Sequence, residues 1–281
     1  MGESRGLLDK LSMVGEATVG AARRVVSRLA FLGEGATALG RWSVGRARFR
    51  ARDDLLTAFV SSGPRILPLV IVIGFLLGLI SSVEIGPALG QVGVVSKLPA
   101  FMALLTMREA GALLAALVLA GQIPPALAVE LGTLPLTDEG STEGTTLTRV
   151  LPRLLATCAT MPLVCLYSEA SMVTGAAVGG LAIEGITVRE FLASASAAIA
   201  PVPLLIGLTK SAAFGFAIAL PGCAAGLHLA RERVAAALGE RPASLDSSEI
   251  SDQARRASAA SIFWILALDG VFDLVTWSLG A

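Results

Sequence analysis

An apolar run from Gly111 to Val129 constrains the fold of this chain more than any other feature. Its nineteen residues contain Gln122 as the only strongly polar side chain, and a helix needs about 20 predominantly apolar residues to cross a bilayer. The composition agrees, because 54% of the residues are hydrophobic and only 16% are charged, whereas soluble domains have about 25% charged residues. The sequence therefore predicts an all-α integral membrane protein.

Five apolar segments are long enough to be membrane spans within a five-span domain over residues 61–281. We predict spans at about 66–83, 99–129, 151–183, 204–229 and 257–279. Pro201, Pro203 and Pro221 interrupt the fourth apolar region, so a short membrane-embedded piece is expected before the fourth span. Residues 230–256 are predicted to be a polar loop.

The amino-terminal region is basic and amphipathic. Residues 1–20 are predicted to be a flexible segment, and region 21–60 to contain an amphipathic helix lying in the membrane interface, with arginines toward anionic headgroups. A soluble helix packed on the domain remains an alternative. Residues 1–60 hold ten of the 22 Lys and Arg residues, so the positive-inside rule predicts a cytoplasmic amino terminus. Five spans then place the carboxyl terminus outside.

Several charged residues fall within or at the edges of these apolar segments. An ionised group in the middle of a membrane helix costs about 2.5–3.5 kcal/mol, so such groups normally face protein or a wet cavity. They either form a functional cluster on a substrate path or moving helix interface, or form ion pairs that fix helix packing. The candidates are Arg108, Glu109, Glu169, Lys210, Asp269 and Asp273.

Helix geometry indicates how these charges pair. Asp269 and Asp273 are four residues apart and therefore share one helical face, where either could pair with Lys210. The adjacent Arg108 and Glu109 point about 100° apart on an α-helix, so each is expected to need its own partner.

The sequence contains no recognisable catalytic arrangement. It has no glycine-rich phosphate loop, no HExxH and no intramembrane protease context around Asp269 or Asp273, so an intramembrane enzyme has little support. We predict no cofactor and no metal site, because the three cysteines lie in apolar segments and the single histidine lacks ligand partners. The zero net charge gives no indication of nucleic-acid binding. Any nucleotide site must be supplied by another chain.

Several short motifs in order resemble the MlaE/YrbE family, the permease subunits of MCE-type ABC transporters that move lipids between membranes. They cover roughly residues 55–281 and are MREAG (Met107–Gly111), LVLAG (Leu117–Gly121), AVELGT (Ala128–Thr133), LPR (Leu151–Arg153), MPL (Met161–Leu163), GLTKSAAFGFAIAL (Gly207–Leu220) and LALD (Leu266–Asp269).

This resemblance implies a permease of the bacterial inner membrane that transports a phospholipid or similar amphiphile. It implies a dimer with a lipid pocket between protomers, an MCE-domain periplasmic partner, and an ABC ATPase subunit that docks on a cytoplasmic coupling segment at residues 130–150. Arg108 and Glu109 match the family's pair near the pocket. Lys210 and Asp269 match its conserved motifs, and Glu169 matches a frequent acidic position. The expected ATPase-coupling residues are Glu130, Leu131, Gly132, Thr133, Thr137, Asp138 and Glu139.

The chain departs from the family pattern mainly in the coupling segment. Where the family has a helical stretch, this chain has a shorter one containing Gly140 and Gly144, and each glycine costs a helix about 1 kcal/mol relative to alanine. The family's arginine is also replaced by Gln122. We interpret the chain as a divergent permease, one half of a homo- or heterodimer. The alternative is a non-transporting assembly subunit that anchors an MCE-domain protein.

Overall fold

The computed structural model describes residues 66–133, 150–199, 201–237 and 247–279, and within these ranges it contains helices and no strand. The predicted interfacial helix, the residues preceding it and most of the coupling segment lie outside these ranges. The α-helices are α1 (Leu67–Gln91), α2 (Leu98–Leu105), α3 (Gly111–Thr133), α4 (Leu151–Glu184), α5 (Val188–Ala198), α6 (Pro201–Ala237) and α7 (Ser247–Leu279).

Five of the described helical stretches are long and apolar enough to cross a membrane, which confirms the predicted fold class. They are Leu67–Gln91, Val95–Thr133, Leu151–Ala182, Pro201–Ala236 and Ser248–Ser278. The second stretch combines α2, a short π-helical turn and α3. The chain is therefore a multi-pass membrane protein.

The helices extend beyond the predicted spans, and the prediction of a polar loop at 230–256 is wrong at both of its ends. Helix α6 continues to Ala237, and α7 begins at Ser247. Apolar character marks the part of a helix that can lie in hydrocarbon, whereas the alanine, arginine and glutamate residues beyond it also favour helix. Pro221, one of the three prolines expected to interrupt this apolar region, lies inside α6, consistent with the tolerance of membrane helices for proline.

Helices α3, α6 and α7 pack against one another and form the part of the fold that carries the site. Small residues bring α3 and α6 together. A Cβ atom added to Gly226 would lie 2.6 Å from Leu131 Cβ, and one added to Gly222 would lie 2.8 Å from Pro124 Cα. At both positions glycine allows an approach that a larger residue would prevent.

Helix α1 packs on α4 through a second set of small residues. Its buried positions recur every fourth residue, at Val70, Gly74, Gly78, Ser82 and Gly86. This spacing places them on one face of the helix. A Cβ on Gly78 would lie only 1.9 Å from the carbonyl oxygen of Met172 on α4, so the two backbones are in direct contact.

Helix α5 occupies the region where a short embedded piece was predicted. Thr187 and Glu190 form a capping box at its start, in which each satisfies a backbone N–H of the other. Phe191 is fully buried and packs with Leu98 and Met102 of α2 and with Ala176 of α4. This aromatic side chain therefore fixes α5 to the helical core.

Candidate functional site

A π-helical turn, Thr106–Ala110, joins α2 to α3 and carries Arg108 and Glu109. The backbone N–H of Gly111 donates to the Thr106 carbonyl, five residues earlier. The Thr106 hydroxyl donates to the carbonyl oxygens of Met102 and Ala103 at 2.9 and 3.0 Å and so ties the turn to α2. A π turn inside a helix is rare and occurs frequently at functional sites.

Lys210 of α6 lies at the centre of a group of charged side chains. Its side chain is 1% exposed, and its Nζ atom lies 2.6 Å from Glu109 Oε2 and 2.6 Å from Asp269 Oδ1. The same atom lies 3.0 Å from Asp273 Oδ1. One ammonium group therefore joins the π turn to α6 and α7. The ion pair predicted for Lys210 is present, and it involves both aspartates.

Arg108 completes this group, which we call the Lys210 network: Arg108, Glu109, Lys210, Asp269 and Asp273. Arg108 Nε lies 3.6 Å from Glu109 Oε1, and Arg108 Nη2 donates to Thr276 Oγ1 at 3.5 Å. Arg108 and Glu109 thus have separate partners, as predicted, but they also contact each other. The network has one more carboxylate than cation.

The carboxylates of Glu109, Asp269 and Asp273 are close enough to be metal ligands, with one oxygen of each lying within 4.8 Å of the others. Lys210 Nζ, however, contacts an oxygen of each at 2.6–3.0 Å. The ammonium group therefore occupies the position between the three carboxylates that a metal ion would need. This geometry favours an internal ion cluster.

Glu169 is the one predicted membrane carboxylate that lies apart from the Lys210 network. It projects from α4, is 3% exposed, and accepts a hydrogen bond from Cys165 Sγ at 3.1 Å. Its side chain lies against Gly111, where a Cβ atom would come within 2.4 Å of Glu169 Cγ. Cys165 was not predicted to be a partner of Glu169, although the i,i+4 spacing places the two side chains on one helical face.

The first four predicted coupling residues, Glu130–Thr133, form the end of α3, whereas Thr137, Asp138 and Glu139 lie outside the described residues. Glu130 Oε1 accepts a hydrogen bond from Arg153 Nη2 of α4 at 2.6 Å, and Arg233 Nη1 of α6 donates to the Gly132 carbonyl at 2.9 Å. Leu131 and Gly132 are buried. The end of α3 is therefore held by both α4 and α6.

Arg233 was not predicted to have this role. A cation is favoured near a helix carboxyl terminus, where the last carbonyls lack intrahelical partners. The sequence did not show that residue 233 lies on a helix beside the end of α3, because it lay within the predicted polar loop.

Comparisons with known proteins show the family to which this chain belongs. The family model described as Permease MlaE matches residues 55–275. The chain belongs to this family. A probable ABC transporter permease protein from Rickettsia bellii is 26% identical over 167 residues, which are 58% of this chain and 64% of the relative. Protein TRIGALACTOSYLDIACYLGLYCEROL 1, chloroplastic, from Arabidopsis thaliana is 24% identical over 176 residues, 59% of this chain and 49% of the relative.

Membership of the Permease MlaE family confirms the resemblance predicted from the motifs and indicates a transporter component rather than an enzyme. The region that matches the MlaE model includes the whole Lys210 network, Glu169 and the contacts at the end of α3. The matches to the curated relatives cover less than two thirds of those relatives' own lengths.

Proposed function

We propose that this chain is the membrane permease subunit of an ABC transporter that moves a phospholipid or similar amphiphile between the inner and outer membranes. A separate ATPase subunit supplies the energy, and a second permease protomer and an MCE-domain periplasmic protein complete the assembly. The amino terminus is cytoplasmic and the carboxyl terminus periplasmic. The observation that carries this proposal is the Lys210 network, a half-buried ion cluster on the membrane helices of a permease family member.

The exposure of the Lys210 network indicates what it faces. The side chains of Arg108 and Asp273 are 44% and 48% exposed, although both lie in predicted membrane spans. Charged groups in a membrane normally face protein or a water-filled cavity, so hydrocarbon alone does not cover this surface. Helix α7, which carries Asp273, also exposes the apolar side chains of Phe263, Leu274 and Trp277. Charged and apolar side chains side by side match an amphiphile, which has a polar headgroup and apolar tails.

The name of one relative supports a lipid as the transported molecule. The Arabidopsis thaliana protein is named after trigalactosyldiacylglycerol, a lipid with a polar sugar headgroup and two acyl chains. The name says only that this relative is associated with a lipid, and we propose a lipid, without specifying which one, as the molecule that this chain transports.

The contacts at the end of α3 support ATPase coupling through residues 130–150. The segment begins at Glu130, which is bound to Arg153 of α4, and the Gly132 carbonyl is bound to Arg233 of α6. A force applied to the segment is therefore transmitted to α3, α4 and α6 together. The positive-inside rule places this end of the helices in the cytoplasm, where an ATPase would dock.

The first test is purification from native membranes in a mild detergent, with mass spectrometry of copurifying proteins and lipids. An ATPase and stoichiometric lipid are expected. Recovery of an MCE-domain protein without any ATPase or lipid would contradict the transporter proposal and favour the non-transporting assembly subunit.

The second test replaces Glu109 with glutamine in the complete complex. Glu109→Gln keeps the side-chain shape but removes the negative charge that contacts the Lys210 ammonium group. We therefore expect ATP-dependent lipid transfer between vesicles to fall at least about tenfold, since a hydrogen bond to a charged group contributes about 1.5–3 kcal/mol. Glu84→Gln, an exposed carboxylate on α1, is the matched control. Unchanged transfer in Glu109→Gln would refute the functional role of the network.

A further inference from the structure

Glu169 is a buried carboxyl group that the Lys210 network does not use. Its side chain is 3% exposed, and its Oε1 atom accepts a hydrogen bond from the thiol of Cys165. Its Oε2 atom is buried and has no hydrogen-bond partner among the described residues. A buried polar atom without a partner is rare in folded proteins and calls for an explanation.

The cations closest to Glu169 in the fold are already engaged elsewhere. Glu169 lies against Gly111 of α3 and near Gly207 of α6, and the charged groups nearest to these two glycines along the chain are Arg108 and Glu109 of the π turn and Lys210. Lys210 contacts three other carboxylates, and Arg108 contacts Glu109 and Thr276. Within the described ranges, no cation lies at ion-pairing distance from Glu169.

The charge balance makes an ionised Glu169 unfavourable. The Lys210 network already contains one carboxylate more than its two cations, and an ionised Glu169 would add a second unpaired negative charge nearby. An ionised carboxylate buried without a partner is so costly that the group takes up a proton instead. The neutral acid requires no counter-ion, which matches the surroundings of Glu169.

We propose that Glu169 is a proton-binding site inside the membrane, separate from the Lys210 network, with its proton on Oε2. The hydrogen bond favours Oε2 as the protonated oxygen, because the carbonyl oxygen is the stronger acceptor of a carboxylic acid and Oε1 accepts from Cys165. The carboxyl group lies between the start of α3, at Gly111, and α6, at Gly207. This proton-binding site does not depend on the transport function proposed above.

Infrared spectroscopy of the full chain in lipid nanodiscs tests the proposal directly. The wild-type protein at neutral pH is expected to show the carbonyl stretch of a protonated, non-exposed carboxylic acid, with a small shift in D2O. Glu169→Gln should remove this band, and the control Glu84→Gln should retain it. Absence of the band from the wild type, or its persistence in Glu169→Gln, would overturn the proposal.

A second variant keeps the test decisive if Glu169→Gln fails to fold. Cys165→Ala removes the hydrogen bond to the carbonyl oxygen, so the band should move to higher frequency without losing intensity. An unshifted band in Cys165→Ala would show that the protonated group is not Glu169. Neither measurement requires ATP, a partner subunit or transport, so failure of this proposal is distinguishable from failure of the proposed function.

Discussion

Replacing Gly78 with alanine tests whether direct backbone contact holds α1 against α4. The added Cβ atom would lie 1.9 Å from the carbonyl oxygen of Met172 and 2.6 Å from its carbonyl carbon. An ordinary van der Waals contact begins near 3.4 Å. The helices must therefore separate by about 1.5 Å, because neither atom belongs to a flexible side chain that could move away.

The expected magnitude follows from two opposing effects. Overpacking of a well-packed interior costs about 1–3 kcal/mol, whereas alanine in place of glycine favours the helix by about 1 kcal/mol. At Gly121, where an added Cβ meets nothing within 4 Å, only the favourable effect applies. We therefore expect Gly78→Ala to be less stable than Gly121→Ala by about 1–3 kcal/mol.

Equilibrium unfolding of the purified chain in mixed micelles, with increasing fractions of a denaturing detergent, measures this difference. Gly175→Ala provides an internal check, because its Cβ atom would lie 2.0 Å from the Phe75 carbonyl oxygen on the opposite helix. Once one substitution has separated α1 from α4, the second should cost less than it does alone. Equal stability of Gly78→Ala and Gly121→Ala, or strict additivity of Gly78→Ala with Gly175→Ala, would refute the backbone-contact explanation.

Two further predictions concern helix ends. Arg233→Ala should reduce hydrogen-exchange protection in the last turn of α3 by at least about tenfold, since a hydrogen bond involving a charged group contributes about 1.5–3 kcal/mol. Arg231→Ala on the same helix should not, and equal effects would contradict the role of Arg233. Hydrogen bonds from Thr187 hold the pKa of Glu190 below its usual value. The capping box should therefore be intact at neutral pH and lost as the pH falls through this lowered pKa. Glu190→Gln should abolish this pH dependence in NMR measurements of the first turn of α5, and a preserved dependence would exclude Glu190 as its source.

The sequence was sufficient to predict the five membrane helices because apolar length is a local property. It also indicated that Lys210 would pair with Asp269 or Asp273, since the two aspartates share a helical face and an isolated charge in a membrane requires a partner. The ends of α6 and α7 were mispredicted for a related reason. Hydropathy decreases where a helix leaves the apolar region, but the backbone hydrogen bonds continue for as long as the residues favour helix.

Other features could not be predicted because they depend on tertiary contacts. The sequence grouped Glu169 with the other membrane charges, whereas the structure places it against Gly111, with the Cys165 thiol as its hydrogen-bond donor. The π turn was also not predicted, because Thr106–Ala110 contains no glycine or proline that would mark a break in the helix. A π turn contains one residue more than an α-helical turn, and only the packing of α2 and α3 shows where the chain accommodates it.

Helices α3 and α6 connect the two charged regions of the permease. One region contains Lys210 on α6 and Glu109 immediately before α3, and the other contains the hydrogen bond from Arg233 on α6 to Gly132 on α3. Between them, the close approaches at Gly222 and Gly226 leave little space for the helices to slide independently. Closely packed interiors transmit strain rather than absorb it, so a displacement at Gly132 should move α3 and α6 as a unit. The same displacement would reach the π turn, where the ion pairs with α7 must either move together or break.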